Sequence, residues 1–473
     1  MVSAVERDPT KNKIVTVALA SGGYFLGYYV SIMNSMAGPI LDGRYQLKGS
    51  DRVEALGNLN FYFSIGAMIS VLSISKLMDT LGRRRLNMLL DLAAIVFVLL
   101  ISIESLMVLQ LTRFLLGLLA SAYCMVAGIT LVETLPQHLA SQGNMVVYIS
   151  ITGMLLLTFM QQGVFSYETL VSHWRVFLCY PAVIALVRFV VLFHFMTFES
   201  PKFITIQYRD DPSYERRLRE NFSEIYAEES VEPKVAEVLM ENQNTENAAP
   251  SLWEVITDPK FRPAMISGII IQLGQQLSGV NFFVFFSTEF FNNLSGNGKT
   301  VSFFLGLGNL LGGIGSMFIV NNMKRLTVIR FGVLAQGLIF FIILLLASIK
   351  IYTPLPFMVL LYMFSFGAGM GSTMGLYVNE ILPASGVGLA MASQWLAASF
   401  IGKLCPIGVA LLGSFNMIAL FGGLCLTIYF IVSRFCIDPV SDKGIESRLA
   451  GSISKLLQPL TDIRASINEL NAK

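Results

Sequence analysis

The chain has 473 residues, 54% of them hydrophobic and 14% charged, with a formal net charge of +2 and a mean hydropathy of +0.64. A soluble domain carries about 25% charged residues, so an ordinary soluble fold is excluded. The small net charge gives nucleic-acid binding no electrostatic footing.

The N-terminal stretch MVSAVERDPTKNK is polar. The apolar run behind it continues to about Met36 without a clear small-residue cleavage site, so it is expected to be a retained helix rather than a signal peptide. Apolar runs then recur near 14–34, 57–77, 87–107, 110–131, 144–165, 174–197, 262–286, 301–321, 326–349, 356–378, 387–410 and 413–434. Each is close to the roughly 20 residues that cross a bilayer. Backbone polar groups in lipid must be satisfied within the segment, so the runs are expected to be helices. The expected organisation is an N-terminal six-helix bundle over 1–197, a cytosolic linker over 198–261, a C-terminal six-helix bundle over 262–434 and a cytosolic tail over 435–473. Within the linker, Leu218, Phe222 and Tyr226 recur at helical spacing, which predicts short amphipathic helices.

Basic residues orient the chain. Arg83, Arg84 and Arg85 follow the second run, Lys324 and Arg325 follow the eighth, and Lys260 and Arg262 precede the seventh. The positive-inside rule puts all of them in the cytosol, together with both termini. The loops at 35–56 and 287–300 then face the other side, where Asn293-Leu294-Ser295 forms a glycosylation-type triplet. Each half also ends its fourth run with an acid followed by a proline, Glu133 to Pro136 and Glu380 to Pro383. That repetition suggests two related bundles, although short patterns also coincide by chance.

No catalytic constellation stands out, and an enzyme is not expected. His138, His173 and His194 are scattered near segment ends, and no phosphate-cradling glycine loop is present. Cys124, Cys179, Cys405, Cys425 and Cys436 lack metal-site spacing and read as buried thiols. No metal or other cofactor is expected. Glycines such as Gly312 and Gly313 sit inside apolar runs, where they allow close helix packing, and Gly367, Gly369, Gly371 and Gly375 soften the tenth segment.

One motif is costly where it stands. Gln275, Gln276 and Asn281 lie within QQLSGVN, inside a long apolar run. Buried carboxamides need partners. In an ideal helix Gln276 and Asn281 are about 140° apart, so local unwinding at Ser278-Gly279 is needed for them to converge. Carboxamides donate and accept, as do the hydroxyls of a neutral polyol. Two readings stand: the three bind a sugar, or they are polar glue between helices.

With QQLSGVN stand Gly27-Tyr28, the loop Asp79 to Arg84, Arg113-Phe114-Leu115-Leu116-Gly117, Trp174-Arg175 and Glu199-Ser200-Pro201-Lys202. Together they resemble the sugar porter family of the major facilitator superfamily, from about residue 14 to Gly444. The resemblance implies an all-α membrane protein with twelve transmembrane helices in two six-helix bundles. It implies that Gln275, Gln276 and Asn281 hydrogen-bond the sugar, with Asn309, Gln394 and Trp395 also lining the site. It also implies a cytosolic gating network of Arg83, Arg84, Arg113, Glu133, Glu199 and Glu380.

The chain departs from the family pattern in several places. Ser150 stands where the family has a sugar-binding glutamine, and Phe285-Phe286 where it has two tyrosines. Gln142 replaces an arginine, and the second basic loop reads Asn321-Asn322-Met323-Lys324-Arg325. The expected function is facilitative transport of a hexose or related polyol by alternating access. The alternative is a non-transporting sugar sensor, or a structural component of a membrane assembly with protein partners. The first run contains Tyr24, Tyr28, Tyr29 and Asn34 but no acid, which disfavours proton coupling. The expected partners are a small neutral sugar or polyol and the lipid bilayer, not nucleic acid. The expected location is the plasma membrane, with an organelle membrane as the alternative.

Overall fold

The computed structural model describes residues 5–244, 250, 252–319 and 323–438. Asn321 and Asn322 of the second basic loop, and the expected tail beyond Asp438, lie outside the described residues.

The first crossing is broken. α1 (Pro9–Ala20) and α2 (Gly23–Ala37) meet at Ser21-Gly22, and a π-helical turn over Gly38–Arg44 follows. Next come α3 (Gly49–Leu81), α4 (Arg83–Leu99), α5 (Leu106–Thr134) and α6 (Gln137–Val164). The sixth crossing is built from α8 (Trp174–Cys179) and α9 (Pro181–Phe195), preceded by the short α7 (Tyr167–Ser172). Four helices outside the bundle follow: α10 (Pro201–Tyr208), α11 (Tyr214–Ser223), α12 (Glu228–Asn244) and α13 (Leu252–Thr257). As the periodicity predicts, α11 buries Leu218 and Phe222. The N-terminal segment pairs with this layer: Glu6 and Tyr226 form an isolated antiparallel bridge, and the Asn12 side chain donates to the Ile225 carbonyl.

The second half repeats the broken geometry. α14 (Arg262–Leu277) and α15 (Val280–Ser295) make the seventh crossing, interrupted at Ser278-Gly279. Then follow α16 (Gly298–Ile319), α17 (Arg325–Ser348) and α18 (Leu355–Phe366), with a π-helical turn over Gly367–Gly371 before α19 (Ser372–Ile381). That turn falls in the glycine-rich stretch expected to soften the tenth segment.

α20 (Ala384–Phe435) has 52 residues, about 78 Å of helix and far more than the roughly 30 Å of a hydrocarbon core. Gly413, at φ 78° and ψ 162°, breaks it. Among the described residues there are 11 helical stretches long and apolar enough to cross a membrane. Splitting the last at Gly413 makes twelve crossings, as the twelve apolar runs predict. The expected boundaries were short at several ends, because polar and charged residues such as Ser50, Asp51 and Arg52 continue α3 beyond its apolar part.

Small residues let the helices touch. A Cβ on Gly117 of α5 would lie 1.9 Å from the Phe63 carbonyl of α3, so only glycine fits there. One apolar core joins the two halves: Leu56, Phe63 and Val71 of α3 and Trp395, Ala398 and Ile401 of α20 belong to the same buried cluster. Of the cysteines, Cys405 and Cys425 are buried as expected, whereas Cys124, Cys179 and Cys436 are half-buried.

Candidate functional site

The break between α14 and α15 builds the first part of the site. Gly279 has φ +92°, a conformation in which a Cβ is disfavoured. The interruption frees the Ser278 carbonyl, which accepts the Tyr362 hydroxyl at 2.8 Å. It also turns Asn281 back towards the preceding helix. Asn281 Nδ2 donates to Gln276 Oε1 at 2.6 Å, and Gln276 Nε2 donates to Gln275 Oε1 at 3.1 Å. From α20, Gln394 Nε2 donates to the same Gln275 oxygen at 2.6 Å. Four of the expected site residues thus form one hydrogen-bonded carboxamide chain, and Gln275, Gln276 and Asn281 are all buried.

Trp395, next to Gln394, is buried and meets the Phe63 ring edge-on at a centroid distance of 6.3 Å. Phe63 belongs to α3, so this wall comes from the other half. Asn309 of α16 is buried and its Oδ1 has no hydrogen-bond partner. Gln272, one turn before Gln275, also leaves its Oε1 unpartnered. A buried unsatisfied oxygen costs about 1–3 kcal/mol, so these two atoms are open acceptors. Ser150 of α6 is half-buried, and no hydrogen bond ties it or Asn309 to the carboxamide chain.

A second polar cluster lies on the side away from the basic loops. Asn34 Nδ2 donates to Ser287 Oγ at 2.7 Å, and its Oδ1 accepts the Thr288 backbone N–H at 2.9 Å. Gln162 of α6 donates to Thr288 Oγ1 at 2.7 Å. Arg52 donates to Glu289 Oε1 at 2.7 Å and also bonds Asp42. Lys403 bonds Asn58. These contacts tie the two halves together around a cavity of about 340 Å³ bordered by Asn34, Arg52, Gln162, Phe285 and Glu289. Sequence reasoning missed this cluster. The available signal was Asn34 in the first run and the polar pair Ser287-Thr288 behind Phe285-Phe286 in the seventh.

On the side of the basic loops, Arg83 is buried and donates to Glu133 through Nε at 2.7 Å and to Asp79 through Nη1 at 3.1 Å. Ser200 Oγ at 2.7 Å and Lys202 Nζ at 3.4 Å complete the shell around Glu133. Glu199 caps the start of α4, accepting the backbone N–H groups of Arg83, Arg84 and Ser200. Burial pushes the Glu199 carboxyl above its ordinary range, and those N–H groups partly offset the shift. Glu380 lies 3.4 Å from Arg325.

The side chains of two expected gating residues, Arg84 and Arg113, lie outside this network. Only the backbone N–H of Arg84 joins this network, because the helix start points N–H groups, not the side chain, at Glu199. Arg113 does not join it at all. It lies on the same helix as Glu133, 20 residues away, or about 30 Å. Instead it is buried, donates to the Tyr29 and Leu59 carbonyls, and stacks 4.4 Å over the Phe63 ring. Through Phe63 it braces Trp395.

A buried ion pair was also missed. Asp91 of α4 and Arg188 of α9 pair at 2.6 Å with side chains 0% and 1% exposed. Arg188 Nε donates to the Ala18 carbonyl at 2.8 Å, a group left without its helical partner by the break after α1. Arg188 also bonds Asn87, and Tyr123 donates to Asp91 at 2.7 Å. Single charged letters inside two apolar runs, DLAA and LVRF, were the available signal.

Twelve helical crossings among the described residues, the seventh broken at a chain of buried carboxamides, define an integral multi-pass membrane protein of the transporter class. The model of the family "Sugar (and other) transporter" matches residues 15–441. The chain belongs to that family, which is one of transporters rather than enzymes. It is 24% identical over 465 residues to the facilitated glucose transporter member 3 of solute carrier family 2 from Ovis aries, covering 92% of this chain and 91% of that protein. It is 26% identical over 350 residues to the proton myo-inositol cotransporter hmit-1.1 of Caenorhabditis elegans, covering 69% of this chain and 55% of that one. In fold it is similar to the partially occluded inward-open xylose transporter XylE from E. coli, with a TM-score of 0.73 and 15% identity, covering 90% of this chain and 99% of that one. The fold is therefore the major facilitator fold.

Proposed function

We propose that the protein carries a hexose or a related polyol across the membrane by facilitated alternating access. The observation that supports this best is the carboxamide chain from Gln394 through Gln275 and Gln276 to Asn281. It lies at the break of one crossing and reaches a second. A sugar hydroxyl can exchange into such a chain, because each amide both donates and accepts. The open acceptors on Asn309 and Gln272 supply further partners. Trp395 supplies an apolar face for the ring, and Ser150 faces the ligand with one hydroxyl.

Alternation in this reading is an exchange of ties. In the observed state Arg52–Glu289, Asn34–Thr288 and Lys403–Asn58 join the halves on the side away from the cytosol. The cytosolic pairs Arg83–Glu133 and Arg325–Glu380 each lie within one half. Breaking the first group would open the outer side. The absence of an arginine at Gln142 does not leave Glu133 uncompensated, since Arg83 and Lys202 hold it. Of the two departures that favour a transporter-like protein that no longer moves substrate, Gln142 and the loop at 321–325, the first is thereby offset.

Counterflow of labelled glucose and myo-inositol in proteoliposomes tests the proposal, with and without a pH gradient. Saturable counterflow that is indifferent to the gradient is expected. Binding without counterflow would instead establish a sensor or structural role, and strong acceleration by inward protons would establish symport.

A further inference from the structure

The three consecutive arginines at the start of α4 have different fates. Arg83 is taken up by Glu133 and Asp79. Arg84 and Arg85 border a cavity of about 480 Å³ between α4 and the cytosolic helices, walled on its other sides by Phe203, Tyr208 and Arg217. That volume is within the roughly 300–1,000 Å³ of small-molecule sites.

Three carboxylates also border the cavity, and two of them are taken up by other donors. Glu199 accepts three backbone N–H groups. Glu224 accepts from Lys11 Nζ at 2.8 Å and from the Thr197 hydroxyl at 2.5 Å. Glu220, the third, is exposed and lies 3.7 Å from the equally exposed Arg216, so its charge opposes an entering anion. The arginines are less well matched, Arg217 having only the longer-range attraction of Asp211. Among the described residues, no carboxylate lies within ion-pair distance of Arg84, Arg85 or Arg217. Arg84 Nε is buried with no hydrogen-bond partner. The Arg217 guanidinium is held 4.1 Å over the Tyr208 ring, and only its Nε is used, by Ser213 Oγ.

Like charges gathered at one opening repel unless an anion enters. The planar guanidinium fork matches phosphate oxygens with two parallel hydrogen bonds. We infer that this cavity binds a phosphate-bearing ligand, held by Arg84 and Arg85 from the bundle and by Arg217 from the cytosolic layer. Because the walls belong to separate elements, the ligand ties the cytosolic helices to the start of α4. The same chemistry is offered by a soluble polyphosphate or phosphate ester and by a phosphorylated lipid headgroup. The aromatic walls suit either.

The full chain in phosphatidylcholine nanodiscs is titrated with inorganic pyrophosphate by calorimetry, and its thermal unfolding is followed. A second preparation contains phosphatidylinositol 4-phosphate and no soluble anion. Saturable binding or a raised Tm is expected in one arm or the other, and the responding arm identifies the source. Arg85→Gln and Arg217→Gln, both at exposed positions that leave the fold intact, should each weaken binding roughly tenfold, the scale of one charge-assisted hydrogen bond. Glu220→Gln should strengthen it, and Lys260→Gln, outside the cavity, should leave it unchanged. No response in either arm overturns the inference. So does binding that survives Arg85→Gln and Arg217→Gln together.

Discussion

Replacing Gln276 by alanine tests the proposed sugar site and separates it from a purely structural one. In the ligand-free protein this side chain donates to Gln275 and accepts from Asn281 Nδ2 at 2.6 Å. Removing it leaves Asn281 Nδ2 without an acceptor, on a residue only 8% exposed. An unsatisfied buried donor costs about 1–3 kcal/mol, less where water enters the vacated space. Gln275 still keeps Gln394, so the chain is cut on one side only. The melting temperature should therefore fall even without sugar. Binding supplies an independent term. If Gln276 meets a sugar hydroxyl, its loss costs the complex about 1–3 kcal/mol, or roughly five- to 150-fold in affinity. Thermal unfolding across a glucose titration reads both, the first from the unliganded midpoint and the second from the sugar concentration at half-maximal shift. A destabilised mutant whose sugar response has an unchanged midpoint would refute the assignment and make the carboxamide chain interhelical glue.

Ser150→Gln should tighten glucose binding by about 1 kcal/mol, the scale of one net hydrogen bond; unchanged affinity in a folded protein would mean that position 150 does not face the ligand. Arg52→Gln and Glu289→Gln should each shift the protein towards an outward-open state, seen as faster labelling of a cysteine placed at the buried, cavity-lining Leu56, and the double variant should add little to either; additive effects would show that the pair is no tie. Arg188→Leu strands Asp91 in the bundle core and should cost about 3–5 kcal/mol, whereas Arg188→Leu with Asp91→Leu should recover most of that stability, as measured by denaturation in detergent. The Glu224 carboxyl is held below its ordinary range by hydrogen bonds from Lys11 and Thr197. A depressed acid contributes stability above its unfolded value, about 4.3, and loses it as pH falls through its lower folded value. Hydrogen exchange at residues 8–12 should therefore quicken only under that acid condition, and Glu224→Gln should abolish the pH dependence.

Much of the fold was legible because a bilayer simplifies the code. Apolar runs near 20 residues and the Gly279 of QQLSGVN were enough to place the crossings and one break. The carboxamide chain was legible for a related reason: three amides in an apolar run stand out against the cost of burying them. What the sequence hid were partners distant along the chain. Asn34 and Thr288 are 254 residues apart, and Asp91 and Arg188 are 97 apart. Each is an unremarked letter until the fold supplies its neighbour. The break after α1 was hidden too, because Ser21-Gly22 carries no amide cluster to betray it. The neighbours of Arg113 were hidden as well: the Tyr29 and Leu59 carbonyls and the Phe63 ring belong to other helices.

The two broken crossings are stabilised in different ways, and this bears on how the halves work. At the α14–α15 break the freed Ser278 carbonyl is satisfied by the neutral hydroxyl of Tyr362, and the flanking amides are exchangeable partners. At the α1–α2 break the freed Ala18 carbonyl is held by Arg188, itself locked by Asp91, Asn87 and the ring of Tyr123. Amide hydrogen bonds can be traded one at a time for sugar hydroxyls. A buried guanidinium cannot release its carboxylate without leaving a charge uncompensated in low dielectric. In the proposed alternation the first crossing would stay fixed to its own bundle at the break, and Asn34 at its far end would move with that bundle. The seventh crossing would adjust at its break. A ligand bound there would act on Thr288 and Glu289 of α15, the residues that meet Asn34 and Arg52 on the side away from the basic loops.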